Sequence, residues 1–315
     1  MMPSFNTINY SLRPSKSIQR QIVFEGIRRL QGHLDYEDMI YVGFGSVWFT
    51  DFLLAHKVLG VREMFSIEAD PIGFRRATFN APFSTVTVKE GLSGNILPEL
   101  LADNALRSRP WLIWLDYDYE LNEDIREDIR LVIERAPANS IFLCTFNALE
   151  MKYGKATDRP ERLREILGAV LPDNLPKADF KKERLQSTLA DYSLDYMQSV
   201  AAELSRPGGF IPAFRVLYQD GAQMVTVGGL LPTKGAATVA RDIVQRDDWD
   251  CKPADPVHAP HLTMKEAAVL QAQLPSDAAL SRDDIQALGF DLHEDELRAF
   301  QTHYRQYPAF AQILA

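Results

Sequence analysis

Apolar residues in this chain follow two spacings, a helical one and an extended one, and the two alternate. In residues 15–34, Ile18, Ile22, Ile27 and Leu30 recur close to the helical period, with basic residues between them. Met39-Ile40-Tyr41-Val42 then makes a short strand that ends at Gly43-Phe44-Gly45-Ser46. Residues 47–60 predict a helix closed by Gly60. A second strand, EMFSIEAD, leads into Asp70-Pro71, an N-cap and first-turn proline that open the helix IGFRRATFN. STVTVKEG alternates as a third strand, followed by a short helix over Asn95–Leu101. WLIWLDYDYE starts as a continuous apolar run, as a strand covered on both faces should. Residues 122–135 predict an amphipathic helix, and SIFLCTF a fifth strand. Five strands separated by helices imply an α/β fold with a doubly wound parallel sheet.

Beyond this core, residues 149–206 read as almost wholly helical. FRVLYQ, Asp220-Gly221 and AQMVTVGGLL read as a hairpin, because Asp-Gly between alternating runs favours a tight turn. Residues 250–261, rich in proline and histidine, read as a linker, and the tail from Leu262 as several short helices broken at Gly289. The expected organisation is a basic helical segment over 1–36, an α/β domain over 37–249 with a helical insertion, and a linker with a small helical module over 250–315.

Composition narrows the function classes. The 315 residues carry a formal net charge of -9, which gives no global pull toward nucleic acid, and the acidic run at 293–296 argues against phosphate contact by the tail. No apolar run approaches a membrane span, and residues 1–16 lack the hydrophobic core of a signal peptide, so a cytoplasmic location without membrane contact is expected. The two cysteines, Cys144 and Cys251, have no metal-type spacing, and Cys144 lies in an apolar strand as a structural thiol. His258 and His261 flank Pro260 without a nearby acid or cysteine, and no metal site is expected.

In an open parallel sheet, ligands bind beyond the carboxyl ends of the strands. Here the first strand ends in Gly43 and Gly45, which let backbone approach a ligand, and Ser46 follows before a helix N-terminus. The second ends in Glu68, placed to accept ribose hydroxyls, with Asp70 read as the helix cap. The third leads to Ser93, a small polar side chain that suits an adenine edge. The fourth ends in Asp116-Tyr117-Asp118, acids that are costly there unless solvated, paired or used. Alternation puts Asp116 and Asp118 on one side and Tyr117 on the other, which predicts two carboxylates within reach of each other. In the basic N-terminal segment, Arg13 and Lys16 read as a clamp for an anionic substrate, while Arg28 and Arg29 are left to solvent.

Residues 37–146 resemble the core of class I S-adenosylmethionine-dependent methyltransferases. The stretches Leu12–Ile18, Tyr41–Ser46, Ser66–Glu68 and Trp114–Asp118 are similar to a bacterial family of predicted O-methyltransferases. The resemblance implies a seven-stranded, mostly parallel sheet and S-adenosylmethionine as cofactor. Gly43, Gly45, Ser46, Glu68, Ser93 and Asp116 would hold it, and Asp116 or Asp118 would handle the proton of an oxygen or nitrogen acceptor, with Arg13, Lys16 and Tyr117 as substrate contacts. The sequence departs from that pattern at Tyr41, where an acid is usual, and at Val47, where a third glycine is usual. These departures keep open a second reading, a cofactor- or nucleotide-binding scaffold that has lost catalysis. A nicotinamide dinucleotide site fits less well, because Trp48 stands where G-x-G-x-x-G needs its last glycine.

Overall fold

The alternation of strand and helix is laid out as one seven-stranded sheet in a computed structural model, which describes residues 13–308 apart from 35, 37 and 173. The sequence reads residues 1–15 as irregular; of these, 1–12 lie outside the described residues, while Pro14 and Ser15 already belong to the first helix, because proline suits a first helical turn. Helix α1 (Pro14–Gln31) precedes β1 (Ile40–Gly43), α2 (Thr50–Leu59), β2 (Glu63–Glu68), α3 (Pro71–Asn80) and β3 (Val86–Glu90). Next come α4 (Ser93–Ala102), α5 (Asn104–Arg107), β4 (Trp111–Glu120), α6 (Glu123–Arg135) and β5 (Ser140–Asn147). The second half holds α7 (Arg159–Leu167), α8 (Lys182–Glu203), the hairpin β6 (Ile211–Gln219) and β7 (Gln223–Leu231), and α9 (Ala237–Val244). Helices α10 (Met264–Gln271), α11 (Arg282–Ala287) and α12 (Glu294–His303) form the tail.

The strand order is β3-β2-β1-β4-β5-β7-β6. The first five strands pair in parallel, and β7 is antiparallel to both β5 and β6. Strand order therefore reverses between β1 and β4, where a crevice opens at the carboxyl edge.

Period-two alternation divides the core between the two faces of the sheet. Ile40, Val42, Trp111, Ile113, Leu115, Phe142 and Cys144 point to the face covered by α4 and α6 to α8. Tyr41, Leu112, Trp114, Ile141 and Leu143 point to the other, covered by α1, α2 and α9. Helix α1 buries Ile18, Ile22, Val23, Phe24, Ile27 and Leu30, each worth about 1.5–3 kcal/mol relative to exposure. The positioning of α1 is thus strongly specified by packing.

Three local features differ from the sequence expectation. The stretch 149–206 is not continuously helical: residues 154–158, 171, 172 and 174–176 lie outside any helix, and short 3-10 turns separate α7 from α8. The proposed linker runs along the edge of the sheet, where Arg215 donates to the Cys251 carbonyl and Val257 exchanges backbone hydrogen bonds with Leu217 and Gln219. It satisfies groups that an open edge strand would otherwise expose. The tail buries Leu270, Ile285, Leu297 and Phe300 in the same cluster as α1, so its apolar residues join the core of the sheet domain.

Candidate active site

A cavity of about 310 Å³ lies at the carboxyl edge, where strand order reverses. That volume is at the lower end of the usual range for small-molecule pockets. Its walls come from the β1–α2 loop (Phe44, Gly45, Ser46, Trp48), the end of β2 (Ile67, Glu68), the β3–α4 turn (Gly91, Leu92, Ser93) and the end of β4 (Asp116 to Tyr119). Helix α1 adds Lys16 and Arg20, and α2 adds Thr50 and Asp51.

The β1–α2 loop takes a sharp path, with Ser46 and Phe49 in the left-handed region at φ 52° and 50°. Its backbone is held where Gly45 N–H donates to Ser66 Oγ at 3.0 Å. A Cβ at Gly45 would lie 2.4 Å from the Phe49 ring and 2.7 Å from Ser66 Oγ. At Gly43 it would lie 2.9 Å from the Trp114 carbonyl and from Tyr41 Oη, and Gly43 is not among the wall residues. Both glycines are thus required by neighbouring protein atoms, where the sequence suggested close approach to a ligand.

At the end of β2, Glu68 Oε1 accepts the Asp70 N–H at 3.0 Å, and Asp70 caps α3 by accepting from Gly73 at 2.6 Å. Burial pushes the Glu68 carboxyl up, the Asp70 N–H pulls it down, and the charges of Asp70 and Asp118 add to the rise. Ser93 lines the cavity, but its hydroxyl donates to Asp128 of α6, which also accepts from Tyr117 Oη at 2.5 Å. The Ser93 hydroxyl proton is therefore spent inside the protein, leaving the oxygen as an acceptor. Burial raises the Asp128 carboxyl, and the two hydroxyl donors moderate it.

The two acids of β4 separate. Asp116 turns toward α1 and meets Lys16 Nζ at 2.6 Å and Arg20 at 4.0 Å. Tyr117 turns to the opposite face, as alternation predicts. Asp118 is exposed, and its charge acts on Glu68. Both acids line the cavity, with Asp116 held by cations and Asp118 exposed, and the sheet register shifts between Asp116 and Glu120.

Arg13 lies off the cavity wall and donates to the Asp220 carbonyl, whereas Lys16 lines the wall. Arg28 is exposed, and Arg29 pairs with Asp248 at 2.6 Å at a solvent-exposed position. Sequence reasoning passed over Asp51 and Asp128 and counted Arg20 only among the basic residues of the N-terminal segment. Arg20 follows Lys16 by one helical turn, so the spacing already placed both on one face. Asp51 stood as an acid among the apolar residues of α2. It pairs with Arg20 through a short contact, and both are buried. Burial pushes the Asp51 carboxyl up despite Arg20 beside it. Burial alone would lower the Arg20 guanidinium, but Asp51 and Asp116 outweigh it and hold it above its ordinary value. Three buried atoms of wall residues, Arg20 Nη1, Ser46 Oγ and Asp116 Oδ1, have no hydrogen-bond partner among the described residues. Tyr41, in the position of the usual acid, is buried with a hydroxyl that has no partner among the described residues, and it sits close enough to Asp51 and Asp116 to feel their charges.

The family model described as "Putative O-methyltransferase" matches residues 8–315. The chain belongs to that family. No curated protein matches the sequence. Among solved structures, this family member resembles Trm1 from Pyrococcus horikoshii in complex with S-adenosylmethionine, at 11% identity and a TM-score of 0.51. The match covers 76% of this chain and 61% of the Trm1 chain, and it shows a shared fold. An O-methyltransferase from Bacillus cereus in complex with SAH aligns at 12% identity over 71% of this chain and 84% of its own, with a TM-score of 0.42. Among the described residues no helix is long and apolar enough to cross a membrane, and no group of three or more metal-ligating side chains is found.

Proposed function

We propose that the protein is an S-adenosylmethionine-dependent methyltransferase acting on an oxygen or nitrogen nucleophile. The observation that carries this reading is the convergence of the β1–α2 loop, the end of β2, the β3–α4 turn and the end of β4 on one cavity at the strand-order reversal. The residues fit the group. Four carboxylates on the walls, Asp51, Glu68, Asp116 and Asp118, outnumber Lys16 and Arg20, an imbalance that favours a cationic ligand over a neutral one. The Ser46, Arg20 and Asp116 atoms that have no partner among the described residues are costly unless a ligand meets them.

When bound, S-adenosylmethionine supplies a methyl group activated by a sulfonium. Glu68 holds the ribose hydroxyls. Phe44, Tyr117 and Tyr119, whose rings pack edge-on or tilted at centroid distances of 5.1–5.2 Å, form an apolar wall that excludes water. Asp118 orients the acceptor and receives its proton, because it is exposed at the rim and free of the cations that neutralise Asp116. The surplus of carboxylates argues for a neutral or cationic acceptor, in place of the anionic one suggested by the basic N-terminal segment.

Calorimetric titration with S-adenosylmethionine and S-adenosylhomocysteine tests the reading. Glu68→Ala should lose at least tenfold in affinity, about 1.4 kcal/mol, as one charge-assisted contact requires. Absence of binding by the wild type at millimolar ligand would defeat it, and unchanged affinity in Glu68→Ala would remove the ribose assignment.

A further inference from the structure

The net charge of -9 is unevenly spread along the chain. Residues 52–62 and 71–89 hold five cations, Lys57, Arg62, Arg75, Arg76 and Lys89, and no acid, in a chain with 43 acids among 315 residues. The acids between these stretches are engaged: Glu63 pairs with Arg109, Glu68 accepts the Asp70 N–H, and Asp70 caps α3. The two stretches meet in space, because the His56 ring in the last turn of α2 lies 4.3 Å from the Phe83 ring that follows α3. Lys57, Arg62, Arg75 and Arg76 are exposed, while Lys89 is balanced by Glu99 at 2.9 Å. Helix α3 buries Gly73 and Ala77 and presents Ile72, Arg75, Arg76 and Phe79 outward, at spacings of three and four that share one face. Phe79 is 89% exposed and Ile72 60%.

A partner for this face must be anionic and must meet an isolated ring. A two-fold contact with a second copy would face the corner with itself, cation against cation. A stable protein interface needs about 800 Å² per side around an apolar centre. The large exposed apolar side chains of α3, Ile72 and Phe79, instead stand about 10 Å apart along the helix with arginines between them. Single-stranded nucleic acid answers both features, since phosphates meet the guanidinium groups and a base stacks on the phenyl ring, which needs one ring face and no pocket. A duplex offers the phosphates but keeps its bases stacked on one another. We propose that the outward face of α3, with the end of α2, binds single-stranded nucleic acid, with Phe79 as the stacking platform and Arg75 and Lys57 as phosphate contacts. Glu68 and Ala69, just before the Asp70 cap of α3, line the cavity, so the surface starts at the cavity rim. Its cations hold phosphates outside the carboxylate-rich walls, which would repel them.

Fluorescence anisotropy of the full chain with a labelled mixed-sequence strand of about 12 nucleotides, as RNA and as DNA, tests this without cofactor. Wild type should bind both, because a ring face and guanidinium groups do not read the 2′-hydroxyl. Log affinity should fall with log salt at a slope of about -1.4 to -2.8, two to four phosphates at about 0.7 each. Phe79→Ala should lose about fivefold or more at unchanged slope, and Arg75→Gln should flatten the slope by about 0.7. Both side chains are exposed, so the Tm of each variant should stay within about 1 °C of wild type. Should Phe79→Ala fail to fold, Phe79→Trp, which keeps a ring face, should bind as tightly as wild type and Phe79→Lys, which keeps only charge, about fivefold more weakly. The corresponding duplex should also bind about fivefold more weakly than the single strand. Binding of neither strand, equal affinity for strand and duplex, or full affinity in Phe79→Ala would overturn the proposal. Tighter binding of polyglutamate or of phosphatidylserine vesicles than of either strand would also overturn it, making the corner a protein or membrane contact.

Discussion

Asp220 offers the sharpest test of how the sheet positions the site. It precedes Gly221 in the β6–β7 turn, and its carboxylate accepts the backbone N–H of Lys16 at 2.6 Å and of Ser15 at 3.3 Å. It thus caps α1 from 204 residues away, since the residue at the cap position, Arg13, makes no side-chain cap hydrogen bond. Replacing a local N-cap by alanine costs about 0.5–2 kcal/mol, and hydrogen bonds to a charged group contribute about 1.5–3 kcal/mol. Burial raises the Asp220 carboxyl above its usual range while the two N–H donors pull it down, so desolvation offsets part of the gain. Asp220→Ala should therefore cost about 2 kcal/mol, or a Tm decrease of about 3 °C for a chain of this size. Asp220→Asn keeps one acceptor oxygen and relieves the buried charge, so it should stay within about 1 kcal/mol of wild type. Thermal unfolding followed by circular dichroism measures both. Because Lys16 and Arg20 ride on α1, S-adenosylhomocysteine affinity should fall severalfold in Asp220→Ala and less in Asp220→Asn. A Tm change below 1 °C in the alanine variant, or an asparagine variant as damaged as the alanine one, would refute the cap.

Gly45→Ala should cost about 1–3 kcal/mol by overpacking against Phe49 and Ser66, read as a lower Tm in the ligand-free protein; loss of ligand affinity at unchanged Tm would return the glycine to a purely ligand-facing role. Glu68→Gln should raise the Tm of the free protein at neutral pH while weakening S-adenosylhomocysteine. A carboxyl whose pKa is raised on folding destabilises the fold once ionised, so the gain should vanish as the pH is lowered through and below the ordinary carboxylate range; a pH-independent Tm difference would contradict this. Tyr41→Phe removes a buried hydroxyl with no partner among the described residues and should stabilise the protein by about 1 kcal/mol, and a marked loss of stability would show that the hydroxyl is paired.

Much of this molecule is specified locally. The alternation of Tyr41 with Ile40 and Val42, or of Trp114 with Ile113 and Leu115, assigns each residue to one face of the sheet, because a strand has a side-chain period of two. Asp70-Pro71, Asn122 and Asp220-Gly221 mark two helix starts and a turn through short-range hydrogen bonds and φ preferences, and the structure has them there. The strand ends that carry Gly45, Glu68, Ser93 and Asp116 were legible for the same reason, since fold class alone sends them to one edge. Partner choice was not legible. Whether Asp116 would face Asp118 or Lys16 depended on how α1 docks, and that docking depends on Asp220, on the apolar face of α1 and on β6. The linker along β6 and the tail against α1 were likewise decided by unpaired edge groups and by an apolar surface that no single segment could bury. Charges in a low-dielectric corner are governed by distances across the chain, from Lys16 to Asp116 and from Arg20 to Asp51, and only the tertiary structure sets those distances.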